Sequence, residues 1–471
     1  MAGTFLLSER KTRPGSYFRR ERAGVTTEGS VNGVIACLFQ SNWGPLNEPF
    51  DFDQTMLNEV ADYAGDGADI IREALLGGAT TVRAVRVGDA DGTSSTITIK
   101  TSDSTPKDAV KITAKYPGNR AFSIRIGDDL ITGDRQVQIL DGTAIFQQFQ
   151  FTKGGDEAQA LVDAMANNRY FVAEKKNSGA LADVTQSAFT AGTNPTVNTA
   201  SYDAGTNVLE RYRWNVIIAD SSSVDIHAIL FNFVKQSYET GHLGMACVAE
   251  EKSVALTQRM AHAAAYNDEK VVYVLNGWKS ITDVEYNGWR AAARIGGMIA
   301  ASETNTSITH DVIQSALELL EPMTNGEIIR AETKGCLVLS INDDDQIWVD
   351  NAINTLVTLN ANMDEGWKKI RRTKCRFELI DRINRTHDKL IGNINNDDNG
   401  RATIIAAAQK VINEMAGEAK LMPQSYVELD EAHPPEGDSV WLKLYILDID
   451  SAEKIYATYV FRYGQTFDEE E

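Results

Sequence analysis

No segment of this 471-residue chain approaches the uninterrupted apolar run that crosses a bilayer, and its opening residues, MAGTFLLSERKTRPGSY, hold no apolar stretch of signal-peptide length. Membrane insertion is not expected, and synthesis and assembly are expected in a cytoplasm. Cysteine is scarce. Cys37, Cys247, Cys336 and Cys375 are scattered without CxxC spacing, which gives no disulfide framework or zinc site and reads as four reduced packing residues. The six histidines, His227, His242, His262, His310, His387 and His433, form no HExxH pair, so neither a metal nor a general-base role is expected. Positive charge is short as well: 46 Lys and Arg stand against 66 Asp and Glu, a formal charge of −20. Nucleic-acid affinity rests on many cations neutralising phosphates, so nucleic acid is not expected as a partner.

Phosphate-cradling loops are also missing. The glycine pairs at 77–78, 154–155 and 296–297 belong to neither GxxxxGK[ST] nor GxGxxG, and the turn 40–44 is no phosphate cradle. No catalytic residue, metal site or cofactor is assigned. An open α/β sheet can still build an active site from other loops, so a cytosolic α/β enzyme with an inserted β domain stays as the alternative reading.

What is present is ample core material, 43% apolar residues, in a length that predicts about three domains. The first 22 residues carry Arg10, Lys11, Arg13, Arg19, Arg20 and Arg22 against Glu9 and Glu21, with no helical apolar stripe, and read as an extended arm (1–22). An α/β core domain is assigned to 23–88 and 200–354. VNGVIACLF, TTVRAVRVG, WNVIIAD, HLGMACVAE and KVVYVLNGW read as strands, and helix-length amphipathic segments lie between them. The fold class is α/β, with a mixed, mostly parallel sheet. Period-two alternation between Gly, Asn and Asp turns marks 89–199 as an inserted β-rich domain, with 178–206 as its return linker. A C-terminal α+β domain, 355–450, and a C-terminal arm, 451–471, complete the chain.

Two acidic segments look like sites and are read as turns. Asn395, Asp397, Asn399 and Gly400 match calcium-loop positions one, three, five and six, but position twelve is Ala406, so a helix cap is expected. The triplet 343–345 reads as a turn between two strands. More unusual is WKKIRRTKCR, where Lys368, Lys369, Arg371, Arg372, Lys374 and Arg376 stand without an acid in an acidic chain. Trp367, Ile370 and Phe377 fix it on an ordered element, and an ordered basic stripe suits an acidic partner better than a solvated face.

Several segments together resemble the tail sheath proteins of contractile phages and of phage-tail-like R-type bacteriocins. They are TRPGSYF at 12–18, KYPGNRAFSIRI at 115–126, FTKGGDE at 151–157 and EYNGWRAAARIGGMIAAS at 285–302. Further on come VDNAINTLVTL at 349–359 followed by KKIRRTK, NDDNGRAT at 396–403, and DIDSAEKIYATYVF at 448–461. The resemblance implies a structural subunit that stacks as hexameric rings in a helical polymer around an inner tail tube protein, between baseplate and tail terminator proteins. Contraction then drives the tube through a target envelope. It implies exchanged arms, here through Arg13, Pro14, Gly15 and Tyr17 at the N-terminus and Ile455, Tyr456, Tyr459, Val460 and Phe461 at the C-terminus. The basic tract is expected to face the tube. Another polymerising shell protein, a capsid or surface-layer subunit, is the third reading. In the closing strands, WLKLYILDI is apolar on nearly both faces and is expected inside a sheet. The strand after it would be an exposed aromatic edge unless a neighbour covers it, or unless it closes a hairpin within its own subunit.

Overall fold

The computed structural model describes residues 32–459 and 461, together with Gly3–Thr4 and Tyr17–Phe18, whose backbones pair as two short parallel strands. Arg13, Pro14, Gly15 and Val460 lie outside the described residues, and Tyr17 is described by that backbone pairing alone.

Continuous runs of apolar residues build a sheet covered on both faces. Its order is Cys336–Leu337, Val271–Val274, Met245–Val248, Val216–Ala219, Val34–Phe39, Thr81–Arg86 and Pro49–Asp53, parallel throughout except for the last strand. Side chains alternate across a strand, and the two layers divide accordingly. Ile35, Cys37 and Phe39 enter one core with Ile71, Ala74, Ile295 and Ile299, while Ala36 and Leu38 enter another with Tyr202, Leu230 and Val234. Helices Ala68–Leu76 and Trp289–Ala301 therefore cover one face. Helices Thr199–Leu209, Val224–Glu239 and Leu256–Tyr266 cover the other. None of the described helices is long and apolar enough to cross a membrane.

Between Thr81–Arg86 and Val216–Ala219 the chain forms two antiparallel sheets. One runs Ala144–Phe151, Arg135–Asp141, Phe122–Asp128, Val184–Ala188, and the other Phe171–Lys175, Asp108–Ala114, Thr96–Lys100. Trp43 joins them to the α/β layers, with edge contacts to Tyr116 at 5.2 Å and Phe122 at 4.9 Å between ring centres. At the same junction Gly118 has φ of 151°, and a Cβ there would lie 1.9 Å from the Asn42 carbonyl oxygen, so the turn of KYPGNR admits only glycine. The segment 178–206 is more than a linker. It supplies the edge strand Val184–Ala188 and most of helix Thr199–Leu209, capped by Asn198, and its Leu181, Thr190 and Thr193 bridge to Thr101, Thr96 and Thr93.

The C-terminal part packs helices Ile370–Asp388 and Asp398–Gly417 against an antiparallel pair, Tyr426–Leu429 with Leu442–Tyr445. Cys375, Leu379, Ile383, Val411, Ile412 and Met415 form its core. The expectation for WLKLYILDI is corrected. Leu442, Leu444 and Ile446 pack on this core, but Trp441, Tyr445 and Leu447 on the opposite face are exposed, because nothing among the described residues covers this two-stranded sheet on its second side. The second closing strand is not formed among the described residues: 451–459 and 461 hold no strand.

Candidate functional site

The six-cation tract begins at the 3-10 turn Glu365–Lys368 and runs into helix Ile370–Asp388, whose first residue is tied back by Ile370 N–H donating to the Ala352 carbonyl at 3.2 Å. Helical spacing puts Arg372 and Arg376 one turn apart on one side, and both meet Asp448. Arg372 binds it through Nε at 2.9 Å and Nη2 at 2.5 Å, and Arg376 lies 3.0 Å away. The Arg376 guanidinium carbon also lies over the Trp367 ring, 3.8 Å from its centre. Arg371 donates to the Ile449 carbonyl, and Lys369 donates to Glu453 and to Asn351 Oδ1. Lys374 donates to the carbonyls of Ile299 and Ser302, joining this helix to the α/β layers. Lys368 pairs with Glu365 at 2.8 Å.

The expectation of an open cationic stripe is thereby corrected. Arg371 and Lys374 are buried, and the side chains of Arg372, Lys369 and Arg376 retain between 11% and 17% of their exposure. Cations leave water only with partners, and Lys369, Arg371, Arg372 and Arg376 find theirs in 448–453, some eighty residues further along the chain. The sequence reading missed this pairing of DIDSAEK with WKKIRRTKCR. The available signal was two short segments of opposite charge, Asp448, Asp450 and Glu453 against six cations.

Burial works against the Asp448 carboxylate, but the Arg372 hydrogen bond and the Arg376 and Arg372 charges outweigh it and hold its pKa below the ordinary value. Glu453 shows the same balance. Burial opposes its charge, and Lys369 with the hydroxyls of Ser307, at 2.9 Å, and Thr309, at 3.0 Å, lowers its pKa. Beyond Glu453 the character of the chain changes abruptly. Ile455, Tyr456, Tyr459 and Phe461 are 78% to 91% exposed, an apolar segment that no other described residue covers.

Other candidate sites resolve into structure. Asp397 caps helix Asp398–Gly417 by accepting the Gly400 N–H at 2.7 Å, and the triplet 343–345 is a turn closed by Asn342. Among the described residues no cluster of His, Cys, Asp and Glu could hold a metal ion. In an open α/β sheet ligands gather at the carboxyl ends of the strands where their order reverses. That point lies between Val34–Phe39 and Val216–Ala219. Its carboxylate, Asp220, is engaged internally, accepting the Gln40 N–H at 2.7 Å and the Tyr202 hydroxyl at 2.5 Å. A cavity of about 470 Å³ lies instead at the amino ends of the strands, between Val216, Met245 and Trp214 on one side and Lys374, Phe377 and Lys420 on the other.

Comparison with known proteins agrees with this architecture. Residues 195–355 match the family described as the phage tail sheath protein central domain. The uncharacterized protein YqbK of Bacillus subtilis (strain 168) is 21% identical over 394 residues, 78% of each chain. The fold is that of the sheath tail protein of Desulfitobacterium hafniense (TM-score 0.72, 19% identity), covering 94% of this chain and 99% of that one. The sheath tail protein of Listeria innocua is similar at TM-score 0.64 and 17% identity, over 89% and 96% of the two chains. The helical sheath of the anti-feeding prophage in its contracted state has TM-score 0.56 and 8% identity, over 96% and 99%. The match to the sheath family's central domain covers residues 195–355, and the described chain shares the fold of these sheath proteins.

Proposed function

We propose that this sheath-like structural protein polymerises as stacked hexameric rings around an inner tail tube, between baseplate and terminator proteins. In this reading it assembles in the bacterial cytoplasm as part of a phage tail or phage-tail-like particle, and its contraction drives the tube through a target envelope. The observation that carries the reading is the junction at Glu453. A strap clamped onto its own subunit ends there, and a wholly exposed aliphatic and aromatic segment follows. A monomer gains nothing from that surface. A second copy could cover it by strand addition, which satisfies backbone groups and buries alternate side chains.

The proposed acceptor is the pair Tyr426–Leu429 and Leu442–Tyr445, which among the described residues has no third strand. The N-terminal arm, with Arg13, Pro14, Gly15 and Tyr17, is proposed to exchange in the same way. Contact with the tube is proposed through surfaces other than Arg371, Arg372 and Lys374, whose groups are already engaged inside the subunit. The energy of contraction is then a difference in packing and electrostatics between two lattices, and no nucleotide is consumed.

Negative-stain microscopy of the purified full chain and of a variant ending at Lys454 tests this. Striated hollow cylinders from the full chain, with dispersed subunits of unchanged melting temperature from the truncated one, are expected. Dispersed globules from both would favour an enzyme, and cylinders from both would remove the C-terminal arm from the assembly.

A further inference from the structure

The root of the C-terminal arm is held at two places of unequal strength. The first is Asp448 and Ile449. Two guanidinium groups, Arg372 and Arg376, grip the Asp448 carboxylate, Arg371 donates to the Ile449 carbonyl, and the Ile449 N–H donates to the Lys420 carbonyl at 3.0 Å. The second is Glu453 alone, held by one ammonium, Lys369, and by the hydroxyls of Ser307 and Thr309. Between them Asp450 lies 3.9 Å from Arg372, Asp450 and Ala452 are exposed, and the Ser451 N–H turns back to Asp450 Oδ1.

We propose that Asp448 is the fixed anchor of the arm and Glu453 a releasable latch. The segment from Asp450 to Glu453 is then held in reserve and freed when the latch opens. The inequality rests on chemistry. A carboxylate gripped by two guanidinium groups, with the adjoining backbone also bound, must lose several charge-assisted bonds at once, whereas Glu453 is released by losing a single ammonium and two neutral hydroxyls. Four residues of extended chain span about 13 Å. Opening the latch therefore lets the exposed segment beyond it swing and reach over about that distance while its root stays attached. This deepens the sheath reading and rests on it. Subunits that move apart between two lattices need arms that lengthen without letting go, and Lys369, Ser307 and Thr309 would be positioning residues for that step.

The test uses dispersed full-length subunits, so its result does not depend on whether the chain polymerises. All four native cysteines are buried, so a nitroxide can be placed selectively at Lys454→Cys, with Glu428→Cys on the hairpin as control. In the Glu453→Gln background the label at 454 is expected to tumble several-fold faster while the label at 428 is unchanged. The exchanged pair Lys369→Glu with Glu453→Lys is expected to restore slow motion, and Asp448→Asn to loosen both sites. No change at 454 in Glu453→Gln, or equal loosening at 428, would overturn the two-point design. Failure of the wild-type chain to form cylinders, with these label results intact, would instead sink the sheath reading and leave the latch standing.

Discussion

Arg372 and Asp448, seventy-six residues apart in the chain, meet as a two-point pair, Nε at 2.9 Å and Nη2 at 2.5 Å, with side chains 11% and 9% exposed. Removing one partner strands a buried charge. Arg372→Ala or Asp448→Asn is expected to cost about 3 kcal/mol or more of stability, read by chemical denaturation. Reversing Arg371 and Arg372 to Glu is expected to unfold the C-terminal helices, not to spare them. The pKa values of Asp448 and Glu453 are lowered. Their contribution is complete above the ordinary carboxylate range, near pH 4, and is lost as pH falls through their lower folded values.

Asp220 and His227 are expected to tilt the pH profile in opposite directions. Burial raises Asp220 to about 6, so between about pH 6 and 4 the folded chain holds a proton that the unfolded chain has released, and acidification through that window stabilises. Burial lowers His227 to about 4, so from about pH 6.5 downward the unfolded chain binds the extra proton and acidification destabilises. Asp220→Asn should lose ground to the wild type as pH falls from 7 to 4, and His227→Gln should gain. Each difference should be on the order of 2 to 3 kcal/mol. Thermal melts of the three proteins across that range check both signs.

Gly297 lets helix Trp289–Ala301 touch the end of helix Ala68–Leu76. A Cβ there would lie 2.3 Å from the Ala74 carbonyl oxygen, and a Cβ at Gly77 would reciprocally lie 2.3 Å from the Arg294 carbonyl oxygen. Both obstacles are backbone and cannot rotate away. Gly297→Ala is expected to cost about 1 to 3 kcal/mol despite its better helix propensity, measured as a shift in denaturation midpoint.

Tyr426 and Tyr445 stack at 4.7 Å on the uncovered face of the C-terminal hairpin, 45% and 37% exposed. Tyr445→Ser is expected to cost the subunit about 1 kcal/mol. On the proposed strand addition it should reduce polymer formation far more than that small loss accounts for, as read by sedimentation. Polymer yield falling only in step with stability would place the stack within the subunit alone.

Periodicity and composition were enough to determine the α/β layers. VIACLF and VVYV can satisfy their apolar side chains only in a sheet covered on both faces, and the spacing of the helices between such strands leaves few alternatives. The small residues of WRAAARIGGMIAA permit a close helix contact, but only the fold sets its partner, helix Ala68–Leu76. What the tertiary structure alone decided was the direction in which charge faces. Lys369, Arg371, Arg372 and Arg376 of WKKIRRTKCR looked free because a local window cannot see 448–453, which only the turn of the chain through the Tyr426–Leu429 and Leu442–Tyr445 hairpin brings across. Long-range ion pairs have no period. Desolvation, which makes a buried cation require a partner, depends on which segments exclude water from one another, and that is set when the chain is folded.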